Sequence, residues 1–187
     1  ALPISSRGIG LELARQAIDA GERVIATARS DAALAQLREL GAQALRLDVA
    51  DVASVSGLAW QLDGEKIDTA WYVAGVMCNR ANATQPPTRE RFDSVMHTNV
   101  LGAMQVIPQV VPLVESACGR MAFISSAMGL IGEVGSSSAW LYRVSKAALN
   151  MAVKSAQASY PAATLVCLHP GWVQTDMGGG GAPVTAV

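Results

Sequence analysis

Short apolar runs alternate with amphipathic stretches along most of this chain. Each apolar run has the length of a buried strand and is bounded by turn-forming or polar residues. The predicted strands lie at residues 23–28, 42–47, 68–73, 121–125 and 164–168. Because strand and helix patterns alternate, we predict a parallel, doubly wound α/β sheet with helices on both faces, in a single domain over residues 1–187.

Capping residues set the ends of the predicted helices. Glycine stops the first helix at Gly21, Ser30 caps the second, and Thr88 caps a long helix that carries Asn99. A weaker pattern predicts a helix over residues 54–62, and the helix that carries Tyr142 runs to about residue 159. The glycine run at residues 178–181 predicts a flexible tail.

Polar and glycine residues follow several of the predicted strands. In a parallel sheet the carboxyl ends of the strands share one edge, where ligands bind. That edge is predicted to carry Arg7–Gly10, Arg29, Asp48, Gly75 and Ser125–Ser126. Glycines ahead of a helix let a phosphate approach the positive helix end, although a plain tight turn is the alternative.

Tyr142 and Lys146 are four residues apart, which on a helix places both side chains on one face. A neighbouring ammonium favours the phenolate and lowers a tyrosine pKa from its usual value of about 10. The pair is therefore a candidate general acid/base. The alternative is a packed tyrosine beside a solvated lysine. Asn99 lies among apolar residues, where it either has a functional role or bonds its own helix backbone.

Composition narrows the range of partners. Hydrophobic residues make up 51% of the chain, charged residues 16%, and the net charge is -1, so we expect neither nucleic acid nor a membrane as partner. No apolar run approaches the ~18 residues of a membrane span. The cysteines at 78, 118 and 167 are widely spaced, which is typical of reduced thiols and a cytoplasmic location. His97 and His169 are interpreted as structural, so no metal site is predicted.

Taken together, these residues resemble the short-chain dehydrogenase/reductase family over residues 4–177. The resemblance is carried by Ser6-Arg7-Gly8-Ile9-Gly10, Asp48-Val49, Ala74-Gly75, Asn99, Ser125-Ser126, Tyr142-x-x-x-Lys146 and Pro170-Gly171. Residues 140–150 and 169–179 are most similar to the C-factor/sniffer-type branch of carbonyl reductases. The resemblance implies a Rossmann-type fold and an enzyme that transfers a hydride between NADP(H) and a carbonyl or alcohol substrate. It also implies a homodimer or homotetramer.

The family resemblance implies a catalytic set of four residues. Tyr142 would pass the proton to or from the substrate oxygen, and Lys146 would lower its pKa and bond the nicotinamide ribose. Ser126 would orient the carbonyl, and Asn99 would hold a water that links Lys146 to solvent.

The same resemblance implies a set of cofactor-binding residues. These are Ser6, Arg7, Gly8, Ile9, Gly10, Arg29, Asp48, Val49, Ala74, Gly75, Tyr142, Lys146, Pro170, Gly171, Val173 and Thr175. The glycine turn would hold the pyrophosphate, Asp48 and Val49 would contact the adenine, and Gly75 would leave room beside its ribose. Val173 and Thr175 would contact the nicotinamide carboxamide or a nearby phosphate.

The end of the second strand indicates NADP(H) rather than NAD(H). A site for NAD commonly has a carboxylate there to bond the ribose 2′-hydroxyl, whereas this chain has Ala28 followed by Arg29. With Arg7 in the glycine turn, two guanidinium groups would suit a 2′-phosphate. The alternative is that both arginines are solvated or paired with Asp31 or Glu12.

Three stretches depart from the family pattern. Pro3-Ile4 replaces the Thr-Gly that opens the glycine turn, and too few residues precede it for a full first strand. Residues 72–75 read Tyr-Val-Ala-Gly instead of Asn-Asn-Ala-Gly, so a structural asparagine is missing. The chain stops soon after Met177, so we expect the final strand and most of the substrate lid to be absent. The altered glycine turn and the C-factor-like stretches support an alternative function, a nucleotide-binding sensor or signalling protein with little turnover.

Overall fold

A single parallel sheet organises the chain. The computed structural model describes residues 2–4, 7–78 and 80–185. The strands are β1 (Leu2–Ile4), β2 (Ile25–Ala28), β3 (Gln43–Arg46), β4 (Thr69–Tyr72), β5 (Arg120–Ile124) and β6 (Thr164–Leu168). Their order is β3-β2-β1-β4-β5-β6, and every neighbouring pair is parallel. The predicted Rossmann-type, doubly wound fold is confirmed.

The helices connect successive strands. They are α1 (Gly8–Asp19), α2 (Asp31–Glu39), α3 (Val52–Ser56), α4 (Leu58–Gln61), α5 (Arg89–Met96), α6 (Gly102–Glu115) and α7 (Trp140–Gln157). Ser30 and Thr88 cap α2 and α5 as predicted, since their side chains accept backbone N–H groups of the first turn.

The two faces of the sheet bury separate cores. One core packs α1 and α2 over small residues of β2 and includes Ala14, Ala26 and Leu37. The other core is larger and packs α6 and α7 over β4 and β5, with Phe123 and Tyr72 fully buried. Both faces are covered by apolar packing, which explains why the strands read as short continuous apolar runs.

The first strand lies at the centre of the sheet although it contains a proline. β1 pairs with β4 through Leu2, Pro3 and Ile4, and with β2 through Ile4 and Thr27. Proline lacks the N–H of a ladder bond, which is why the sequence argues against a central strand here. The structure nevertheless forms a strand of three residues at this position.

Several predicted boundaries differ from the structure. The helix predicted over residues 54–62 is divided into α3 and α4 at Gly57, and the long helix is interrupted by a π-helical segment at His97–Leu101. The glycine run was expected to be a flexible tail, but the structure folds it back. The Gln174 N–H donates to the Val184 carbonyl, and the Val184 N–H donates to the Trp172 carbonyl. The flexible-tail prediction is therefore wrong for the described residues up to 185.

No helix in the described ranges combines the length and the apolar character that crossing a bilayer would require.

Candidate active site

Two cavities are lined by Arg7, the residue that precedes α1. The larger has a volume of ≈ 460 Å³ and the smaller ≈ 110 Å³. Arg7, Val73 and Gly75 line both, so the cavities meet at the carboxyl ends of β1 and β4. This is the edge of a doubly wound sheet at which ligands bind.

The cavities gather most of the predicted site residues. The larger is lined by Arg7, Gly8, Ile9, Gly75, Ser126, Tyr142, Lys146, Pro170, Gly171, Val173 and Thr175. The smaller is lined by Arg7, Arg29, Asp48, Val49, Ala74 and Gly75. Gly10 is buried inside α1, Asn99 lies behind the lining, and Ser6 falls outside the described residues.

Lys146 is one of the few buried charged groups in the described chain. It lies one turn after Tyr142 on α7, and its Nζ sits 5.6 Å from the centre of the Tyr142 ring. The ammonium donates a hydrogen bond of 2.8 Å to the Ile124 carbonyl. Only 3% of the residue is exposed, and this burial lowers the pKa of Lys146 to about 8. The ammonium form still predominates at neutral pH.

The pKa of Tyr142 moves against the sequence-based expectation. Burial raises the pKa of the phenol, and a side-chain hydrogen bond with Ser126 offsets part of that rise. The prediction that Lys146 lowers the pKa of Tyr142 is wrong for this arrangement. The ammonium of Lys146 donates to the Ile124 carbonyl and lies 5.6 Å from the centre of the Tyr142 ring. The phenol is therefore protonated throughout the neutral range and suited to donate a proton.

Asn99 connects three parts of the site. Its Oδ1 accepts the Val76 N–H at 2.7 Å, and its Nδ2 donates to the Val76 carbonyl and to Ser145 Oγ, both at 2.9 Å. Ser145 Oγ in turn donates to the Tyr142 carbonyl. The alternative that Asn99 bonds its own helix is wrong. The fully buried amide fastens the segment after β4 to the first turn of α7. The water-holding role of Asn99 stays a prediction.

The loop that carries Ser126 is held closely against α7. Ser125 Oγ donates to Asn150 Oδ1 at 2.6 Å, and Asn150 Nδ2 donates to the Gly129 carbonyl at 3.4 Å. A Cβ on Gly129 would lie 2.8 Å from the carbonyl carbon of Lys146, so only glycine fits there. Sequence reasoning missed Asn150, Gly129 and Ser145 as supports of the site. Asn150 stands four residues after Lys146, a spacing that could have drawn attention to it.

Tyr72 stands where the family pattern has an asparagine, and it makes a connection of its own. The ring is completely buried, and its hydroxyl donates to the Thr98 carbonyl at 2.9 Å. Burial strongly raises the pKa of this phenol, so it remains a donor. A Cβ on Gly102 would come within 2.8 Å of the same hydroxyl. Tyr72 therefore links the end of β4 to the π-helical segment beside Asn99.

We expect Tyr72→Phe to lower the free energy of unfolding by about 1–2 kcal/mol, because it leaves a partly buried carbonyl without this donor. Chemical denaturation at neutral pH measures the change. Tyr160→Phe is the matched control, since its ring is only half-buried. Equal stability of wild type and Tyr72→Phe would contradict the proposed link.

In the part of the chain that the structure describes, Arg7 and Arg29 do not form the ion pairs with Glu12 and Asp31 that were considered as an alternative. Arg7 pairs with Asp176 at 3.1 Å, both side chains being largely exposed, rather than with Glu12. Asp31 pairs with Arg46, whose guanidinium also donates to the Arg29 carbonyl. Among the described residues, no ion pair involves Arg29. Sequence reasoning missed Arg46, which adds a second guanidinium near Arg29.

The segment after β6 closes the larger cavity on one side. The Thr175 side chain lies against the glycine turn, since a Cβ on Gly8 would be 3.0 Å from its methyl carbon. The Gly178 N–H donates to Thr175 Oγ, and Trp172 Nε1 donates to the Gly178 carbonyl. Glycines 171 and 179 have positive φ angles of 84° and 76°, which favour glycine. These contacts place Thr175 beside the start of α1.

The residues present fit a dinucleotide with phosphate groups. Arg7, which precedes α1, lines both cavities and makes no side-chain cap hydrogen bond, and the first turn of α1 contains no acidic residue. Thr27, which lines the smaller cavity, has a buried hydroxyl without a hydrogen-bond partner among the described residues. An extended ligand with one end in each cavity would satisfy both features.

Within residues 2–4, 7–78 and 80–185, no cluster of three or more His, Cys, Asp or Glu side chains is arranged to hold a metal ion.

The sequence profile of the short chain dehydrogenases matches residues 5–181. The chain therefore belongs to this family of oxidoreductases, as the motifs predicted.

Individual relatives agree with this assignment. The chain is 44% identical over 91 residues to C-signal of Myxococcus xanthus, a match that covers 47% of this chain and 55% of that protein. It is 31% identical over 181 residues to the 1-hydroxy-2-glutathionyl-2-methyl-3-butene dehydrogenase of Rhodococcus sp. (strain AD45), covering 92% of this chain and 76% of that one.

Solved structures show the same architecture. The carbonyl reductase Sniffer of D. melanogaster superimposes with a TM-score of 0.89 at 25% identity, covering 99% of this chain and 85% of its own. A short-chain dehydrogenase/reductase from Burkholderia multivorans, solved with bound NADP, has a TM-score of 0.88 at 30% identity. The match covers 99% of this chain and 84% of that one. The expected similarity to the C-factor/sniffer-type branch is confirmed by C-signal and Sniffer.

Proposed function

We propose that this protein is an NADP(H)-dependent reductase of carbonyl compounds, or the corresponding alcohol dehydrogenase. The observation that carries the proposal is the convergence of Tyr142, Lys146 and Ser126 on the larger cavity. A proton donor, a cation and a hydroxyl on one wall provide what carbonyl reduction requires from the protein.

The nucleotide, when bound, supplies or accepts the hydride. Tyr142 donates its phenolic proton to the developing alkoxide. Burial raises the pKa of Tyr142 and so keeps the phenol protonated before this transfer. Ser126 Oγ would hold the carbonyl oxygen toward Tyr142, since both side chains line the larger cavity. Lys146, whose Nζ lies 5.6 Å from the centre of the Tyr142 ring, would bond the nicotinamide ribose.

We propose a position for each part of the nucleotide from the groups that line the two cavities. The N–H groups at Gly8–Gly10 would receive the pyrophosphate at the positive end of α1. Asp48 and Val49 would contact the adenine in the smaller cavity, with Arg29 at its rim for a 2′-phosphate. A solved relative carries NADP, which supports the same cofactor here.

The direct test is oxidation of NADPH by the purified protein with a panel of aldehydes and ketones, and with NADH for comparison. Turnover that prefers NADPH is expected. If neither nucleotide supports turnover with any carbonyl, while both the fold and nucleotide binding are intact, the reductase proposal is wrong.

We expect Arg29→Gln to reduce the preference for NADPH over NADH by about tenfold, since one charge-assisted contact at an exposed site is lost. The measurement is the ratio of kcat/KM for the two nucleotides. Arg38→Gln on the exposed side of α2 serves as the matched control. An equal loss with NADPH and NADH would contradict the assignment of Arg29 to the 2′-phosphate.

A second candidate function is nucleotide-dependent signalling with little turnover. It is favoured by the similarity to a protein named C-signal and by Pro3-Ile4 at the start of the glycine turn. A protein partner captured only when NADPH is present, from a protein that turns over no carbonyl, would support it over the reductase.

We also propose that two or more copies assemble through the exposed apolar side chains of α5, α6 and α7. Phe92, Met104, Val144 and Met151 are all well exposed, Met151 at 67%. Light scattering is expected to give at least twice the monomer mass, and Met151→Glu is expected to reduce it. Trp60→Glu, on a different exposed site, is the control. A wild-type protein of monomer mass at micromolar concentration would contradict assembly.

A further inference from the structure

The larger cavity has lining residues beyond the catalytic ones, and their side chains have their own chemistry. Met77, Met128 and Met177 line it together with Trp172. Methionine side chains are flexible and polarisable, and they accommodate apolar groups of varied shape. This part of the cavity therefore suits an extended apolar group rather than a small polar one.

A guanidinium lines the same cavity. Arg80 lines the larger cavity, and among the described residues no carboxylate pairs with it. Its backbone is fixed at the beginning of α7, since the Arg80 carbonyl accepts the Ala139 N–H and the Ala81 carbonyl accepts the Trp140 N–H. Arg80 is therefore held near the turn of α7 that carries Tyr142.

The charges around the cavity are unbalanced. The described residues that line it include three basic groups, Arg7, Arg80 and Lys146, and one acidic group, Asp176. Asp176 is already paired with Arg7, and Lys146 is directed to the Ile124 carbonyl. Arg80 thus remains as the cation whose partner would be a ligand.

From this arrangement we infer that the substrate is a carbonyl compound with an apolar body and an anionic group, such as a carboxylate, that binds Arg80. The inference rests on the proposed reductase function. The carbonyl lies at Tyr142 and Ser126, the apolar body lies along the methionines, and the anionic group reaches the guanidinium.

The test compares an oxo acid with its own methyl ester, so that size and apolar area are nearly matched. The probes are 9-oxononanoate and methyl 9-oxononanoate, and the shorter pair 5-oxopentanoate and its methyl ester, with NADPH at low ionic strength.

We expect kcat/KM to favour the acid over the ester by about tenfold in at least one pair. In Arg80→Gln this ratio is expected to fall to about one. Arg120→Gln, at the start of β5 on the opposite edge of the sheet, is expected to retain the wild-type ratio.

The outcomes separate this inference from the proposed function. Turnover of both probes with equal kcat/KM, or a preference for the acid that survives in Arg80→Gln, overturns the role of Arg80 and leaves the reductase intact. If neither probe is reduced, calorimetric binding of nonanoate against methyl nonanoate in the presence of NADP+ decides the inference without turnover. Tighter binding of nonanoate that is lost in Arg80→Gln supports it, and equal binding overturns it.

Discussion

Tyr142→Phe is expected to lower kcat/KM for carbonyl reduction by about 10²- to 10⁴-fold, the range that a positioned general acid contributes. The phenol is buried beside Ser126, and the raised pKa of Tyr142 keeps its proton available at neutral pH. Phenylalanine preserves the ring and its packing against Lys146 but removes the only group on α7 that can deliver the proton from that position.

Binding and pH measurements make this prediction specific. NADPH fluorescence on titration is expected to show a similar Kd for wild type and Tyr142→Phe. Because burial raises the pKa of Tyr142, wild-type reduction should stay level through neutral pH and decline only in the alkaline range. Tyr160→Phe is expected to match wild type in rate. Retention of activity in Tyr142→Phe would exclude this residue as the proton donor.

Lys146→Met is expected to reduce turnover strongly and to stabilise the protein at the same time. Burial lowers the pKa of Lys146 from 10.5 to about 8, so holding the ammonium in the fold costs about 3 kcal/mol at neutral pH. Methionine removes that cost but also the hydrogen bond to Ile124, which is worth about 1–2 kcal/mol. The net gain corresponds to a rise in Tm of about 2–6 °C at pH 7.

The stability difference should depend on pH in a defined direction. Below pH 8 both the folded and the unfolded wild type hold the Lys146 proton, and the cost is fully present. As pH rises from 8 toward 10.5, the folded state gives up the proton first, so wild-type stability rises toward that of Lys146→Met. Thermal unfolding at pH 7, 9 and 10.5 measures how the difference in Tm between wild type and Lys146→Met changes with pH. Lys154→Met, exposed on the same helix, is the control. A lower Tm for Lys146→Met at pH 7 would show that the ammonium stabilises the fold.

Together these two variants separate chemistry from stability. Tyr142 is expected to matter for the reaction with little effect on stability. Lys146 is expected to be required for the reaction and to lower the stability of the fold. Burying its ammonium costs free energy, and no described carboxylate forms an ion pair that offsets this cost. Such a cost is typical of an active site.

The local sequence was sufficient for the strands, the caps and the Tyr142–Lys146 pair. Apolar runs, Ser30, Thr88 and the four-residue spacing are local patterns, and local geometry alone converts them into elements and faces. The class of sheet followed because parallel strands with helical crossovers have few arrangements.

The tertiary structure decided what no local pattern contains. The partners of Asn99 lie 23 and 46 residues away, and Arg7 meets Asp176 across 169 residues, so only the folded chain brings them together. The pKa values of Tyr142 and Lys146 depend on burial, which the spacing of two residues does not specify. By itself the sequence determined the class of fold and the reactive side chains. Packing decided their protonation, their supports and the position of Arg80 beside the cavity, because those properties depend on atoms that are distant along the chain.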